Sequence, residues 1–169
     1  GLGNPPWSSR LLERLCETNL PQVWDADALN WLAKNPRKLP GGSVITPHPG
    51  EAARLLRLGT RDVVREPVAA AAQLFADYGA TALLKGATTV IAYGERRALD
   101  VSGSPGMATG GAGDVLTGLI AALIAQGIEG FNAARLGALL HGRAGERAAA
   151  SRGVRSMAAT DILDFLRID

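Results

Sequence analysis

Gln22-Val23-Trp24-Asp25, followed at once by Ala26-Asp27-Ala28-Leu29-Asn30-Trp31-Leu32-Ala33-Lys34, is the stretch that decides the fold class. The first four residues read as a short buried strand and the next nine as a helix. The unit recurs downstream. Ser43–Thr46 is a β-branched run, with Pro49 placed to open a helix through Leu58. An Ala-rich helix over Glu66–Tyr78, stopped by Gly79, leads into a strand at Ala82–Lys85. Thr88–Tyr93 and Ala98–Val101, joined across Gly94–Arg97, predict a hairpin with one wet face. Towards the ends, a first helix capped by Ser8 or Ser9 runs through Asn19. Two long helices occupy about Asp114–Gln126 and Phe131–Ala150, and a last one runs from an N-cap at Thr160 to Arg167. Strand–helix alternation, then a hairpin, then helices is the pattern of an α/β sheet layered with helices.

The chain has 169 residues, which suits one domain rather than two. Hydrophobic residues are 47% of it, but 29 are Ala, and 21 Gly accompany them, so closely packed helices and glycine-built loops are expected. The net charge of +2, without clustered basic residues, gives no electrostatic case for nucleic acid. The longest apolar stretch, Val115–Ala125, is interrupted by Thr117 and Gly118 and falls short of the ~20 residues that span a bilayer. Cys16, the one cysteine, rules out an intrachain disulfide or a cysteine metal cluster, and a reducing, cytoplasmic setting is the default.

Three loops, at Asp25, Thr46 and Lys85, each follow a short apolar strand, where open α/β sheets bind ligands. The strongest local signal is Gly106-Met107-Ala108-Thr109-Gly110-Gly111-Ala112-Gly113-Asp114, which flows into an apolar helix. Main-chain N–H groups at a helix start, reached through glycine, make an anion site. No Gly-Lys-Ser/Thr follows, so this is not a P-loop. Asp114 beside a phosphate makes sense as the base for an attacking hydroxyl, or plainly as a first-turn acid favoured by the helix dipole. In Thr46-Pro47-His48-Pro49-Gly50-Glu51 two prolines clamp the loop that presents His48, and Glu51 falls in the first helical turn, for a metal-bound water or a cap. Lys85, one of three lysines against 15 arginines, precedes a glycine turn and reads equally as a phosphate contact or a solvated charge. Asp25 and Asp27 read as helix-start acids, and His141 as a packed helix residue.

Taken in this order, Gly1-Leu2-Gly3, DADALN (25–30), TPHPGE (46–51), LLKGATTVIA (83–92), GMATGGAGDVLTG (106–118) and SMAATDILDFL (156–166) resemble the ADP-dependent NAD(P)H-hydrate dehydratases, a branch of the ribokinase-like superfamily. The resemblance implies a ribokinase-like three-layer α/β/α fold. Because the chain opens inside the first motif, it also implies an N-terminally truncated, single incomplete domain over residues 1–169. Activity follows from it as an expectation: ADP phosphorylates the ring hydroxyl of the S-form of hydrated NADH or NADPH. Phosphate then leaves, NAD(P)H is restored, and AMP is the other product. Asp114 matches the catalytic base, and Gly111, Ala112 and Gly113 the anion hole. Lys85, Gly86, Ala87, Thr88, Thr89 and Gly113 match the nucleotide-binding positions, and Gly3, His48 and Asp114 the substrate contacts. Glu51 matches a residue associated in the superfamily with Mg2+ and bound water. Ser104 and Ala112 depart from the family pattern, but neither removes a main-chain N–H. A homotetramer and, in many bacterial members, an upstream epimerase domain are further implications. Two alternatives remain: a ribokinase-like kinase of a small heterocyclic alcohol, and a nucleotide-binding fragment without catalysis.

Overall fold

Residues 2–3 and 5–166 are described by the computed structural model. Its five strands are β1 (Val23–Trp24), β2 (Val44–Ile45), β3 (Thr81–Leu84), β4 (Thr89–Tyr93) and β5 (Arg96–Asp100), side by side in that order. β1, β2 and β3 run parallel, in the register Val23↔Val44↔Thr81. β4 and β5 return antiparallel, as a hairpin across Gly94-Glu95, with Tyr93 opposite Arg96. The helices are α1 (Pro6–Cys16), α2 (Asp27–Lys34), α3 (Pro49–Leu56), α4 (Thr60–Arg65), α5 (Pro67–Tyr78), α6 (Ala112–Ala125), α7 (Gly130–Arg152) and α8 (Ala159–Asp164).

The side-chain alternation of the strands divides the interior in two. Ile45, Ala82, Leu84, Val90 and Ala92 face a core shared with Leu29, Leu32, Ala52, Leu55, Leu74 and Tyr78 of α2, α3 and α5. Val44, Leu83 and Ile91 face the opposite core, filled by Leu116, Ile120 and Leu123 of α6 and Phe131 and Ala134 of α7. This is the expected three-layer α/β/α arrangement. Covering both faces explains why β3 is buried at all four positions and reads as a continuous apolar run. Each Val, Leu, Ile or Phe side chain so buried contributes about 1.5–3 kcal/mol by leaving water.

The abundance of small residues is resolved in α7. Its buried face is almost entirely Ala and Gly: Ala133, Ala134, Gly137, Ala138, Gly142, Ala144, Gly145, Ala148 and Ala149, with His141 among them. A Cβ on Gly137 would lie 2.7 Å from Ile120 Cγ1, so the glycine is what lets α6 and α7 approach. Among the described residues no helix is long and apolar enough to cross a membrane.

Four local expectations are corrected. α1 starts at Pro6 with Pro5 at its N-cap and ends at Cys16, short of Asn19; Ser8 is buried within it and donates to the Pro5 carbonyl at 2.8 Å. α8 is capped at Ala158, not Thr160, because the Asp161 carboxylate reaches back to the Ala158 N–H at 2.7 Å. α4 is a short helix with no counterpart in the expected order of elements, and α6 begins two residues ahead of Asp114. Gly1, and Arg167 as the expected end of the last helix, lie outside the described residues.

Candidate functional site

The carboxyl ends of the three parallel strands converge. The Thr46 N–H and hydroxyl both donate to the Trp24 carbonyl, at 3.0 and 3.2 Å, and the Lys85 N–H donates to the Pro47 carbonyl at 2.8 Å. These bonds align the residues that follow each strand. Asp25 Oδ1 accepts from Lys85 Nζ at 2.8 Å, and Oδ2 accepts from the Thr117 hydroxyl of α6 at 3.2 Å. Asp25 is thus not the helix cap expected of it: the N-cap of α2 is Ala26, and no side chain caps that helix. Ala26 itself has φ +49° and ψ −117°, a conformation that costs a non-glycine residue about 1–3 kcal/mol. Asp27 Oδ2 accepts the Gly3 N–H at 2.8 Å, which brings the first motif against the start of α2.

The glycine loop ends at Gly111, whose φ of +91° only glycine adopts readily, and α6 starts from there. The Val115 N–H closes the first turn onto the Gly111 carbonyl at 3.1 Å. Among the described residues the N–H groups of Gly111, Gly113 and Asp114 have no hydrogen-bond partner, while that of Ala112 turns to the Thr109 carbonyl at 3.3 Å. The donor set of the expected anion hole therefore differs at Ala112. A Cβ on Gly113 would lie 3.4 Å from Asp25 Oδ2 and 3.5 Å from Lys85 Nζ, so the ion pair lies directly against this backbone. Asp114 is exposed in the first turn of α6, and no hydrogen bond or ion pair engages its carboxylate among the described residues.

TPHPGE builds its own turn. His48 is the N-cap of α3: its Nδ1 accepts from the Gly50 and Glu51 N–H groups at 3.0 and 3.4 Å, and Glu51 Oε2 accepts the His48 N–H at 2.8 Å. Nδ1 as acceptor assigns the proton to Nε2, which lies 3.5 Å from Glu51 Oε1. The buried Glu51 carboxylate is committed to this capping box. The KGATT turn is equally specified, because a Cβ on Gly86 would press on the Thr88 carbonyl at 3.0 Å.

These elements wall a cavity of about 800 Å³. Of the expected site residues it brings together His48, Lys85, Gly86, Ala87, Thr89, Ala112 and Gly113; Gly3, Glu51, Thr88, Gly111 and Asp114 are not on its wall. Two parts of the lining were not anticipated. One is the segment from Asp100 to Pro105, held by Ser102 on the Asp100 carboxylate at 2.8 Å and by the Gly103 N–H on Glu146 at 2.9 Å. The other is His141, buried on α7 and also on the wall, with Nε2 lacking a hydrogen-bond partner among the described residues. Burial holds the His141 imidazole below its ordinary pKa of 6.5. The Ala112 main chain and Asp100 work against that shift, and Lys85 adds to it.

No group of three or more His, Cys, Asp or Glu that could cage a metal exists among the described residues. With Glu51 capped and Asp25 paired, the donor set fits Mg2+ only in its usual nucleotide-bound form, held by phosphates and waters.

A protein-family profile described as NAD(P)H-hydrate dehydratase matches residues 1–167. The bifunctional NAD(P)H-hydrate repair enzyme Nnr of Vibrio cholerae is 46% identical over 167 residues, 99% of this chain and 34% of that protein. The ADP-dependent (S)-NAD(P)H-hydrate dehydratase of Neisseria meningitidis is 43% identical over 143 residues, 81% of this chain and 48% of that one. Among solved structures, the ADP/ATP-dependent NAD(P)H-hydrate dehydratase of Bacillus subtilis, co-crystallised with ATP and Mg2+ and soaked with CoA, superposes with a TM-score of 0.85. It is 27% identical, over 94% of this chain and 58% of that one. A ribokinase-like superfamily protein of Enterococcus faecalis gives the same TM-score of 0.85 and identity of 27%, over 97% and 58%. The chain thus spans about a third to a half of the length of these curated relatives.

Proposed function

Because the chain belongs to the NAD(P)H-hydrate dehydratase family, we propose that it carries out ADP-dependent dehydration of the S-form of hydrated NADH or NADPH. The observation that carries this reading is the start of α6. There the free N–H groups of Gly111 and Gly113 and the ammonium of Lys85 lie beside a cavity of nucleotide size, and Asp114 sits unengaged one residue on.

In this reading the nucleotide occupies the cavity against Lys85–Thr89, with its β-phosphate at the α6 N-terminus. Asp114 takes the proton of the ring hydroxyl as that oxygen attacks the β-phosphorus and AMP leaves. The carbon–oxygen bond of the phosphorylated hydrate then breaks and phosphate departs; the adjacent ring carbon loses a proton to water, and its C–H electron pair restores the ring double bond. The donors of Gly111, Ala112 and Gly113 hold the charge that builds on the transferring group, Ala112 after releasing Thr109. Gly3 and His48 lie on the substrate side of this plan. Mg2+ arriving with the nucleotide phosphates would supply charge neutralisation there, with Glu51 as its indirect protein contact.

Asp114→Asn is expected to lower turnover about 10²–10⁴-fold while leaving ADP binding nearly intact. Recovery of NADH absorbance and calorimetry with ADP measure the two quantities, and unchanged turnover rejects the assignment. Dependence on ATP with a stable phosphorylated product would instead mark a kinase. ADP binding without NADH recovery would mark a non-catalytic module.

A further inference from the structure

Asp25 lies against Lys85 and Gly113 of the cavity wall with no part in the chemistry above. We propose that Asp25 is a positioning residue for phosphoryl transfer, fixing the Lys85 ammonium at the start of α6. This rests on the reading of the site given under Proposed function.

The usual reason for an aspartate between a strand and a helix is missing here, since its side chain caps nothing. Both carboxylate oxygens are instead spent on residues distant in sequence: Lys85, 60 positions away, and Thr117, 92 positions away. The pair is largely enclosed, with side-chain exposures of 11% for Asp25 and 23% for Lys85. A lysine ammonium is a point charge on a flexible four-carbon stem, and it marks one place only if something holds it there. Asp25 holds it within van der Waals reach of where a Gly113 Cβ would be, beside the free Gly113 N–H.

The second oxygen makes this placement more than a pairwise contact. Thr117 lies one turn beyond Asp114 on α6, so the carboxylate ties the ammonium to the helix that carries the proposed base. Lys85 and α6 are thereby held in one frame. The backbone agrees with this: strained Ala26 directly follows Asp25, at the point where the carboxylate bonds Lys85 and Thr117 and leaves α2 without a side-chain cap. A carboxylate here cannot itself bind phosphate, because the charges repel. Its effect runs through Lys85.

The test is a double-mutant cycle in the full-length protein, with steady-state kinetics and melting curves. Asp25→Asn keeps the size of the side chain and an oxygen acceptor but releases the ammonium. It is expected to reduce kcat about tenfold to a hundredfold, as misplacement of a catalytic charge does, with KM for ADP unchanged or lower. Lys85→Met is expected to impair both constants, and the double variant to match Lys85→Met within about twofold, because Asp25 acts through that side chain. Thr117→Val, which removes only the hydroxyl donor, is expected to lower kcat about threefold or more while the protein remains folded at the assay temperature, and it carries the test if Asp25→Asn does not fold. Wild-type kcat in Asp25→Asn, or in Thr117→Val where that variant stands in, overturns the proposal. So does a double variant in which the two single losses multiply, and so does a loss of kcat that only follows a loss of folded protein. Absence of ADP-dependent dehydration in the unaltered protein defeats the functional reading and this inference together, whereas an active parent with an indifferent Asp25 defeats this inference alone.

Discussion

His141 is enclosed between α6 and α7 with Nε2 unsatisfied, and its burial favours the neutral ring. Its pKa is below 6.5 in the folded chain and near 6.5 in the unfolded one, so the unfolded state takes up the proton first as pH falls. The stability that depends on a neutral His141 is therefore complete above about pH 6.5 and is lost as the pH drops from there towards the lowered folded value. His141→Leu is expected to flatten this part of the curve. At neutral pH it should be neutral or stabilising by about 1 kcal/mol, since it removes a buried nitrogen, Nε2, that lacks a partner among the described residues. Urea titrations at a series of pH values measure both effects, and an equally steep acid limb in the variant would place the titration elsewhere. Helical periodicity shows only that position 141 faces inward. That the space beside it is a cavity depends on Ser102 and Met107, whose atoms stand where Cβ atoms on Gly142 and Gly145 would go.

Elements differ in how much of their role can be read locally. β2 and β3 declare themselves because both of their faces are covered, so every position but Thr81 is apolar, and Thr81 is buried with its hydroxyl unpaired among the described residues. α4 does not: only Val63 is buried, Val64 is 60% exposed, and Gly59 offers no side-chain cap. Asp25 was legible as a residue at a strand end but not as the partner of Lys85, because a pairing across 60 residues leaves no trace in either segment. The glycines of α6 and α7 separate into two kinds by the same reasoning. Gly118 has open space where a Cβ would go, so Gly118→Ala is expected to stabilise by about 0.5–1 kcal/mol through helix propensity. Gly142 faces the Ser102 main chain and side chain, and Gly142→Ala is expected to cost about 1–3 kcal/mol by overpacking. Denaturant midpoints of the two variants should move in opposite directions, and a shift of the same sign in both would contradict the packing described for α7.

At the scale of the whole molecule the site is a product of the sheet. The turns after β2 and β3, the segment after β5, the start of α6 and the middle of α7 together wall the cavity, and β1 is joined to it through Asp25 on Lys85. ADP binding to the folded form alone should raise the melting temperature with nucleotide concentration, by about 2.7 kcal/mol of added stability at a hundredfold excess over Kd. A melting temperature indifferent to ADP would remove the nucleotide from the cavity. β1 and β2 have two residues each, too few to persist before β3 arrives. The long-range bonds of Asp25 thus belong to the slow, topology-limited end of folding. A chain emerging stepwise would carry Asp25 as an unmatched carboxylate until β3, and then α6, had been made. Under the function proposed above, competence for the nucleotide would therefore be acquired only at the end of folding.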